Sequence, residues 1–186
     1  FFSLYASKKF KNVIAFEPTQ ASIELLKNNF KMNNIENLSL HELALSDASG
    51  KSIFYENPFN QGGNSLEEFG DNQLKKLNDD WPVYDVEVLR LDDLNLNENK
   101  NLKEIDLIKI DVEGHEAKVL KGARNLLKEH EPMIFAEVGR SKKNHEMICD
   151  CLPKSYIAVD PKTLDIINES FHLPWDVLYL TKTKLE

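Results

Sequence analysis

Cysteine is scarce in this chain: of 186 residues only Cys149 and Cys151 carry thiols, with Asp150 between them. The spacing is too close for an ordinary disulfide, and two thiols fall short of a four-ligand structural zinc site. Neither kind of staple is expected, and the pair reads as reduced thiols in a cytosol-like compartment, so a cytoplasmic location is expected. Long apolar runs are missing too. Residues 1–6 (FFSLYA) form an apolar start with no basic flank before it and nothing like the roughly 18 residues of a membrane span, which argues against a signal peptide, an anchor or a membrane partner. Basic residues are the minority, 23 Lys and Arg against 31 Asp and Glu. A net charge of -8 disfavours broad contact with a phosphate backbone, and nucleic acid is not expected as a partner. Repeats, linkers and low-complexity tracts are absent from the sequence, and the oligomeric state cannot be read from it.

What remains is the composition of one soluble globular domain, with 41% hydrophobic residues and a length sufficient to bury roughly 70% of the unfolded surface. The chain starts at Phe1 inside an apolar segment, and Lys8 and Lys9 follow as helix-end charges would. The expectation is a single domain over 1–186, incomplete at its N-terminus and cut within a helix.

Residues 12–16 (NVIAF) read as a buried strand stopped by Glu17-Pro18. A helix is expected from an N-cap at Thr19 to Asn33-Asn34, with Ile23, Leu25, Leu26 and Phe30 near helical spacing. Residues 38–45 (LSLHELAL) alternate as one strand, and residues 46–50 close it as a turn. Residues 52–56 and 83–91 alternate best and predict an inserted antiparallel pair with one wet face, separated by a polar loop over 61–65 and a weak helix near 74–77. A second half opens with a strand at 105–111 (IDLIKID). It continues through one amphipathic helix over 115–130, with Val119, Leu120, Ala123, Leu126 and Leu127 on one face, to a strand at 133–138. A helix over 143–151 and strands at 156–160 and 177–181 complete the chain. Strands alternating with helices predict an α/β fold, a mostly parallel sheet with helices on both faces, whose ligands bind beyond the carboxyl ends of the strands.

Three strand ends carry acids: Glu17, Asp111 with Glu113, and Glu137. A carboxylate where a buried strand stops is held rigidly at the mouth of the crevice. Glu17 has two open readings, a group accepting ribose hydroxyls or a helix N-terminal acid facing the dipole. In Asp111-Val112-Glu113-Gly114-His115-Glu116, Gly114 permits a tight turn, and the acids and imidazole supply candidates for a proton acceptor. Asp111 is favoured for function because an apolar strand leads into it, whereas Glu116 reads as a first-turn helix acid. His115 is a candidate base that can equally be a capping residue. Asp111, Glu113 and Glu137 could bind a hard cation but show no dedicated cation-loop spacing, so metal dependence stays open and no metal ligand is assigned.

In this order and spacing, residues 13–18 (VIAFEP), 44–47 (ALSD), 91–94 (LDDL), 106–114 (DLIKIDVEG) and 119–123 (VLKGA) resemble the FkbM family of S-adenosylmethionine-dependent methyltransferases. The resemblance runs over about residues 1–140. It implies a Rossmann-like, class I three-layer sandwich using S-adenosyl-L-methionine, with the inserted antiparallel hairpin. It implies cofactor contacts from Phe16, Glu17, Pro18, Ala44, Leu45, Ser46, Asp47 and Asp111, with Glu17 on the ribose and residues 44–47 near the adenine. Asp111 and Glu113 would line the transfer site, with Asp111 the base, helped or replaced by His115, and Glu137 at the pocket edge. The family's glycine-rich Asp-x-Gly-x-Asn-x-Gly loop and the first, central strand before it are missing from these residues. That strand would lie between the strands ending in Glu17 and Asp111. The expected reaction is O-methylation of a hydroxyl on a sugar, glycan or secondary metabolite. The competing expectations are an inactive fragment or non-catalytic binding module and, third, a domain binding NAD or a nucleotide sugar.

Overall fold

The structure is a computed structural model that describes residues 2–57, 66, 82–94, 104–168 and 172–185. A short helix α1 (Phe2–Ser7) precedes β1 (Val13–Phe16). The bridge between them is Asn37, whose side-chain amide donates to the carbonyls of Ser7 and Phe10 at 2.8 and 2.9 Å. Helix α2 (Gln20–Met32) starts at Thr19, which has extended backbone, and stops at Asn33, whose side chain donates to the Asn29 carbonyl while Asn34 turns left-handed. Of its predicted apolar face, Ile23 is buried, an event worth about 1.5–3 kcal/mol, whereas Leu25 is exposed.

The alternating stretch 38–45 is two strands rather than one. β2 (Leu38–His41) pairs parallel with β1, while β3 (Ala44–Leu45) pairs parallel with β5 (Val83–Leu89) in another sheet. The alternation continues through the bend at Glu42-Leu43, so side-chain pattern alone hides the change of partner. β5 also pairs antiparallel with β4 (Gly50–Tyr55), which is the expected inserted pair, with Phe54, Val86 and Val88 turned inward. The polar loop expected over 61–65 and the weak helix near 74–77 lie outside the described residues.

The largest sheet has the order β6 (Leu107–Ile110), β7 (Met133–Glu137), β9 (Asp176–Thr181), β8 (Tyr156–Val159). β6 and β7 run parallel, and β9 runs antiparallel to both its neighbours. Against this sheet lies the main core, in which Leu120, Leu127, Ile134, Ala136, Val177 and Tyr179 are essentially inaccessible. The helix expected over 115–130 is broken into α3 (Glu116–Lys121) and α4 (Arg124–His130). Gly122 forces the break by packing on another segment: a Cβ there would sit 2.0 Å from the Ser46 carbonyl oxygen. Asp92 then caps the new helix, its carboxylate accepting the backbone N–H groups of Asn125 and Leu126 at 3.0–3.1 Å. All five predicted apolar residues of the pair are buried nonetheless, because the two pieces keep one inward face. Helix α5 (Lys142–Cys151) is N-capped by Ser141, whose Oγ accepts from the Asn144 N–H, and α6 (Lys182–Leu185) follows β9.

β1 and β6, the strands ending in Glu17 and Asp111, are not hydrogen-bonded to each other, and each has one strand neighbour among the described residues. Every residue of both strands lines a single cavity of about 1160 Å³. The two strands thus face each other across the cavity rather than through a ladder of backbone hydrogen bonds.

Candidate active site

The cavity runs along residues 12–19 on one side and 104–113 on the other, with residues 43–45 at one flank, and the two walls end in carboxylates. On the first wall Glu17 Oε1 accepts the Thr19 N–H at 2.9 Å, which fixes the side chain at the start of α2 and leaves its second oxygen with acceptor capacity. Phe16 stacks on His41 with ring centroids 5.2 Å apart. Phe16, Glu17, Pro18, Ala44, Leu45 and Asp111, six of the eight residues expected at the cofactor, line the cavity. Ser46 and Asp47 do not, being turned instead to the second half of the chain. Ser46 Oγ lies 3.0 Å from His115 Nε2, and Asp47 pairs with Lys121 at 2.6 Å. The Lys121 ammonium holds the Asp47 carboxyl below its ordinary range, against the upward push of burial.

The second wall ends in a denser group. Asp111 follows β6 and Glu137 ends β7, and because Ile110 is in register with Ala136 the two acids meet one position further on. With Glu113, each offers a carboxylate oxygen within 4.8 Å of the others. The turn that brings Glu113 back has two consecutive left-handed residues, Glu113 at φ 53° and Gly114 at φ 95°. A non-glycine residue held there costs about 1–3 kcal/mol, and such strain concentrates at functional positions. Glu116 stabilises the turn from below: it is buried, and its Oε1 accepts the N–H groups of Val112 and Gly114 at 3.1 and 3.2 Å. Its role is therefore structural, as its place in a helix first turn predicts.

Crowding shows in the proton affinities. Burial, then the neighbouring charges of Asp111 and Glu116, raise the Glu113 carboxyl above its usual value. A hydrogen bond in which the protonated Glu137 carboxyl donates to Asp111, then burial and the Asp111 charge, push Glu137 up to about 7, and the indole N–H of Trp175, donating to Glu137 Oε1, works in the opposite direction. Lys109 supplies the nearby positive charge, 3.6 Å from Asp111 and 3.5 Å from Asp176, with its ammonium 5.0 Å from the Phe135 ring centroid.

His115 is 4% exposed, bonded to Ser46, and is not among the cavity-lining residues. The geometry makes it a link between residues 44–47 and the start of α3. Trp175 and Arg140 were not expected here. Trp175 stands half-exposed beside Glu137, with the Arg140 guanidinium 6.0 Å over its ring. Its backbone carbonyl accepts the Val138 and Gly139 N–H groups at 2.8 and 3.1 Å. The only sequence signal would have been a bulky aromatic after Pro174, just ahead of a strand, and it does not say which strand tip the ring meets.

The domain model described as Methyltransferase FkbM domain matches residues 1–168. Methyltransferase 1 of Beauveria bassiana (strain ARSEF 2860) is 34% identical over 135 residues, covering 65% of this chain and 53% of that protein. Methyltransferase sdnD of Sordaria araneosa is 29% identical over 151 residues, covering 65% and 55%. The chain thus spans about half the length of the curated relatives it matches. Among solved structures, a Methyltransferase FkbM from Methylobacillus flagellatus KT shares the fold with a TM-score of 0.56 at 19% identity, over 96% of this chain and 39% of that one.

Proposed function

Because the chain belongs to the FkbM methyltransferase family, we propose that it supplies most of the active site of an S-adenosylmethionine-dependent O-methyltransferase. The acceptor in this reading is a hydroxyl of a sugar, glycan or secondary metabolite, in a cytoplasmic setting. A nucleic-acid acceptor is disfavoured by the -8 charge.

The observation that carries the reading is the cavity bounded by two parallel strands, one ending in Glu17 and the other in Asp111. At about 1160 Å³ it is above the usual 300–1,000 Å³ of small-molecule sites and has room for a nucleoside and an acceptor together. The donor chemistry fits as well. Glu17 has one oxygen engaged by its own helix and the other available to ribose hydroxyls, each charge-assisted bond worth about 1.5–3 kcal/mol. Phe16, Pro18, Ala44 and Leu45 offer apolar surface for a purine, and in this reading Ser46 and Asp47 act by holding that wall against α3. When bound, the cofactor supplies an electrophilic sulfonium methyl. The protein's own tasks are to align an acceptor oxygen in line with that methyl and to take its proton. Asp111 is assigned the proton-accepting role, with Glu113 shaping the same wall. His115 supports the base by anchoring the turn through Ser46.

The gap between β1 and β6 favours a second reading, in which this length of chain alone is a non-catalytic binding module. Calorimetry separates the two. S-adenosylhomocysteine is titrated into this chain and into a version lengthened before Phe1 by a strand and glycine-rich turn taken from a family member. Micromolar binding, about -8 kcal/mol, is expected for the lengthened chain. Absence of binding to either, with both folded, overturns the methyltransferase reading and leaves the binding module.

A further inference from the structure

The acid pair at the tips of β6 and β7 is more closely coupled than a wall of separate carboxylates requires. Asp111 and Glu137 come from adjacent parallel strands in register, place carboxylate oxygens within 4.8 Å of each other, and lie beside the cavity that Asp111 lines. Glu137 is also held from a third strand. Trp175, immediately before β9, donates its indole N–H to Glu137 Oε1, while its own carbonyl is fixed by the Val138 and Gly139 N–H groups. Two left-handed residues, Gly139 at φ 61° and Arg140 at φ 59°, turn the chain directly after β7, as Glu113 and Gly114 do after β6. Both strands thus end in left-handed turns, and the half-exposed Trp175 is bonded to the acid of the second.

Resting on the proposed methyl transfer, we infer that Glu137 is a positioning residue that backs the base: it and Asp111 act as one unit, fixed by Trp175, and the acceptor's proton, taken by Asp111, comes to rest on Glu137. The bonds balance without another reactant. The acceptor O–H breaks as its oxygen gains the methyl, the sulfonium leaves as a neutral thioether, and the proton crosses Asp111 to Glu137. The pair starts with both carboxylates ionised and ends holding one proton. The surroundings suit that cycle. Around the pair stand Glu113 from the turn after β6, Lys109 from β6, Asp176 from β9 and, across the Trp175 ring, Arg140 from the turn after β7. The neighbouring acids favour uptake of a proton by Glu137, and the Lys109 ammonium lies 3.6 Å from Asp111. A carboxyl whose proton affinity lies near neutrality is the best-matched base at physiological pH, and burial with the Asp111 contact moves Glu137 there.

The test needs no knowledge of the acceptor. Trp81 and Trp175 are the only tryptophans, so in a Trp81→Phe background the fluorescence of Trp175 reports on its carboxyl neighbour. We expect one transition with a midpoint near pH 7 that vanishes in Glu137→Gln and moves down by a pH unit or more in Asp111→Asn. A transition that survives Glu137→Gln, or ignores Asp111→Asn, overturns the proposal. So does a midpoint displaced by millimolar magnesium, which would assign the carboxylates to a cation. Should Glu137→Gln fail to fold by circular dichroism, Glu137→Asp serves instead: its shorter arm loses the indole bond, and the transition amplitude must fall. S-adenosylhomocysteine binding to the lengthened protein is measured alongside and should be the same in wild type and Glu137→Gln. Binding without the fluorescence transition sinks the base pair and spares the family reading. The transition without wild-type binding sinks the methyl-transfer role and leaves only an acid pair. In turnover, release of S-adenosylhomocysteine should climb through pH 7 and fall at least 100-fold in Glu137→Gln, with KM for the donor unchanged.

Discussion

The two walls of the cavity are built from the same kind of element and differ in how firmly they are backed. β1 and β2 form a two-stranded patch in which no residue is fully buried, whereas β7 and β9, two layers into the four-stranded sheet, carry Ile134, Ala136, Val177 and Tyr179 at 0–1% exposure. Burial, not strand propensity, separates them. The smaller wall has two buried helix residues, Ala6 of α1 and Ile23 of α2, and the larger is sealed by α3 and α4. The lesson is that Glu17 ends a strand of the less buried wall, whereas Asp111 and Glu137 end strands of the more deeply packed sheet.

The contrast can be broken most severely where the halves touch. Gly122→Ala drives a Cβ into the Ser46 backbone, and urea unfolding should show a loss of about 4 kcal/mol, in the exceptional range for one substitution. Next in size, Leu127→Ala in the rigid half should cost about 3 kcal/mol, while Ile14→Ala, half-buried on the cavity wall, should cost about 1 kcal/mol. Equal losses for the two would refute the difference in backing. In the lengthened protein, Glu17→Ala should weaken S-adenosylhomocysteine binding about tenfold, or 1.4 kcal/mol; unchanged affinity by calorimetry would remove Glu17 from the ribose. The smallest effect is the pH dependence of stability. Glu137 binds its proton more tightly folded than unfolded, so its contribution is present in acid and is lost as pH rises from about 4.5 to about 7. Asp47 has the opposite sign: its lowered value gives stability above 3.8 that is lost as pH falls further. Denaturation midpoints of Glu137→Gln and Asp47→Asn against wild type should therefore diverge in opposite directions between pH 3 and pH 7.

Much of this architecture was legible in the amino-acid order because the signals were local. The apolar runs stopped by Glu17, Asp111 and Glu137 became β1, β6 and β7, and the ends of α2 and α5 fell within a residue or so of their caps. The family motifs located the cavity walls for the same reason. What escaped depended on distant partners. The helix over 115–130 is periodic throughout, and only the Ser46 backbone, far away in sequence, makes Gly122 a break. The stretch 38–45 alternates without interruption, yet its last two residues join another sheet. Leu25 fits the helical stripe but meets no second layer. Trp175 reaches Glu137 across 38 residues, and no spacing rule connects them. Ser46 and Asp47 were legible as a motif, but their contacts with His115 and Lys121 were not.

Those last contacts bear on the order in which the molecule assembles. Ser46 meets His115 across 69 residues and Asp47 meets Lys121 across 74. Contacts of such sequence separation must overcome a large loop-closure entropy before they return any energy, so they are slow to form in folding. β6, β7 and the helices between them can fold on local contacts first, with the acid pair already in register. The seam at Ser46 closes afterwards, so a chain emerging from synthesis brings the tips of β6 and β7 together before it joins the two walls of the cavity.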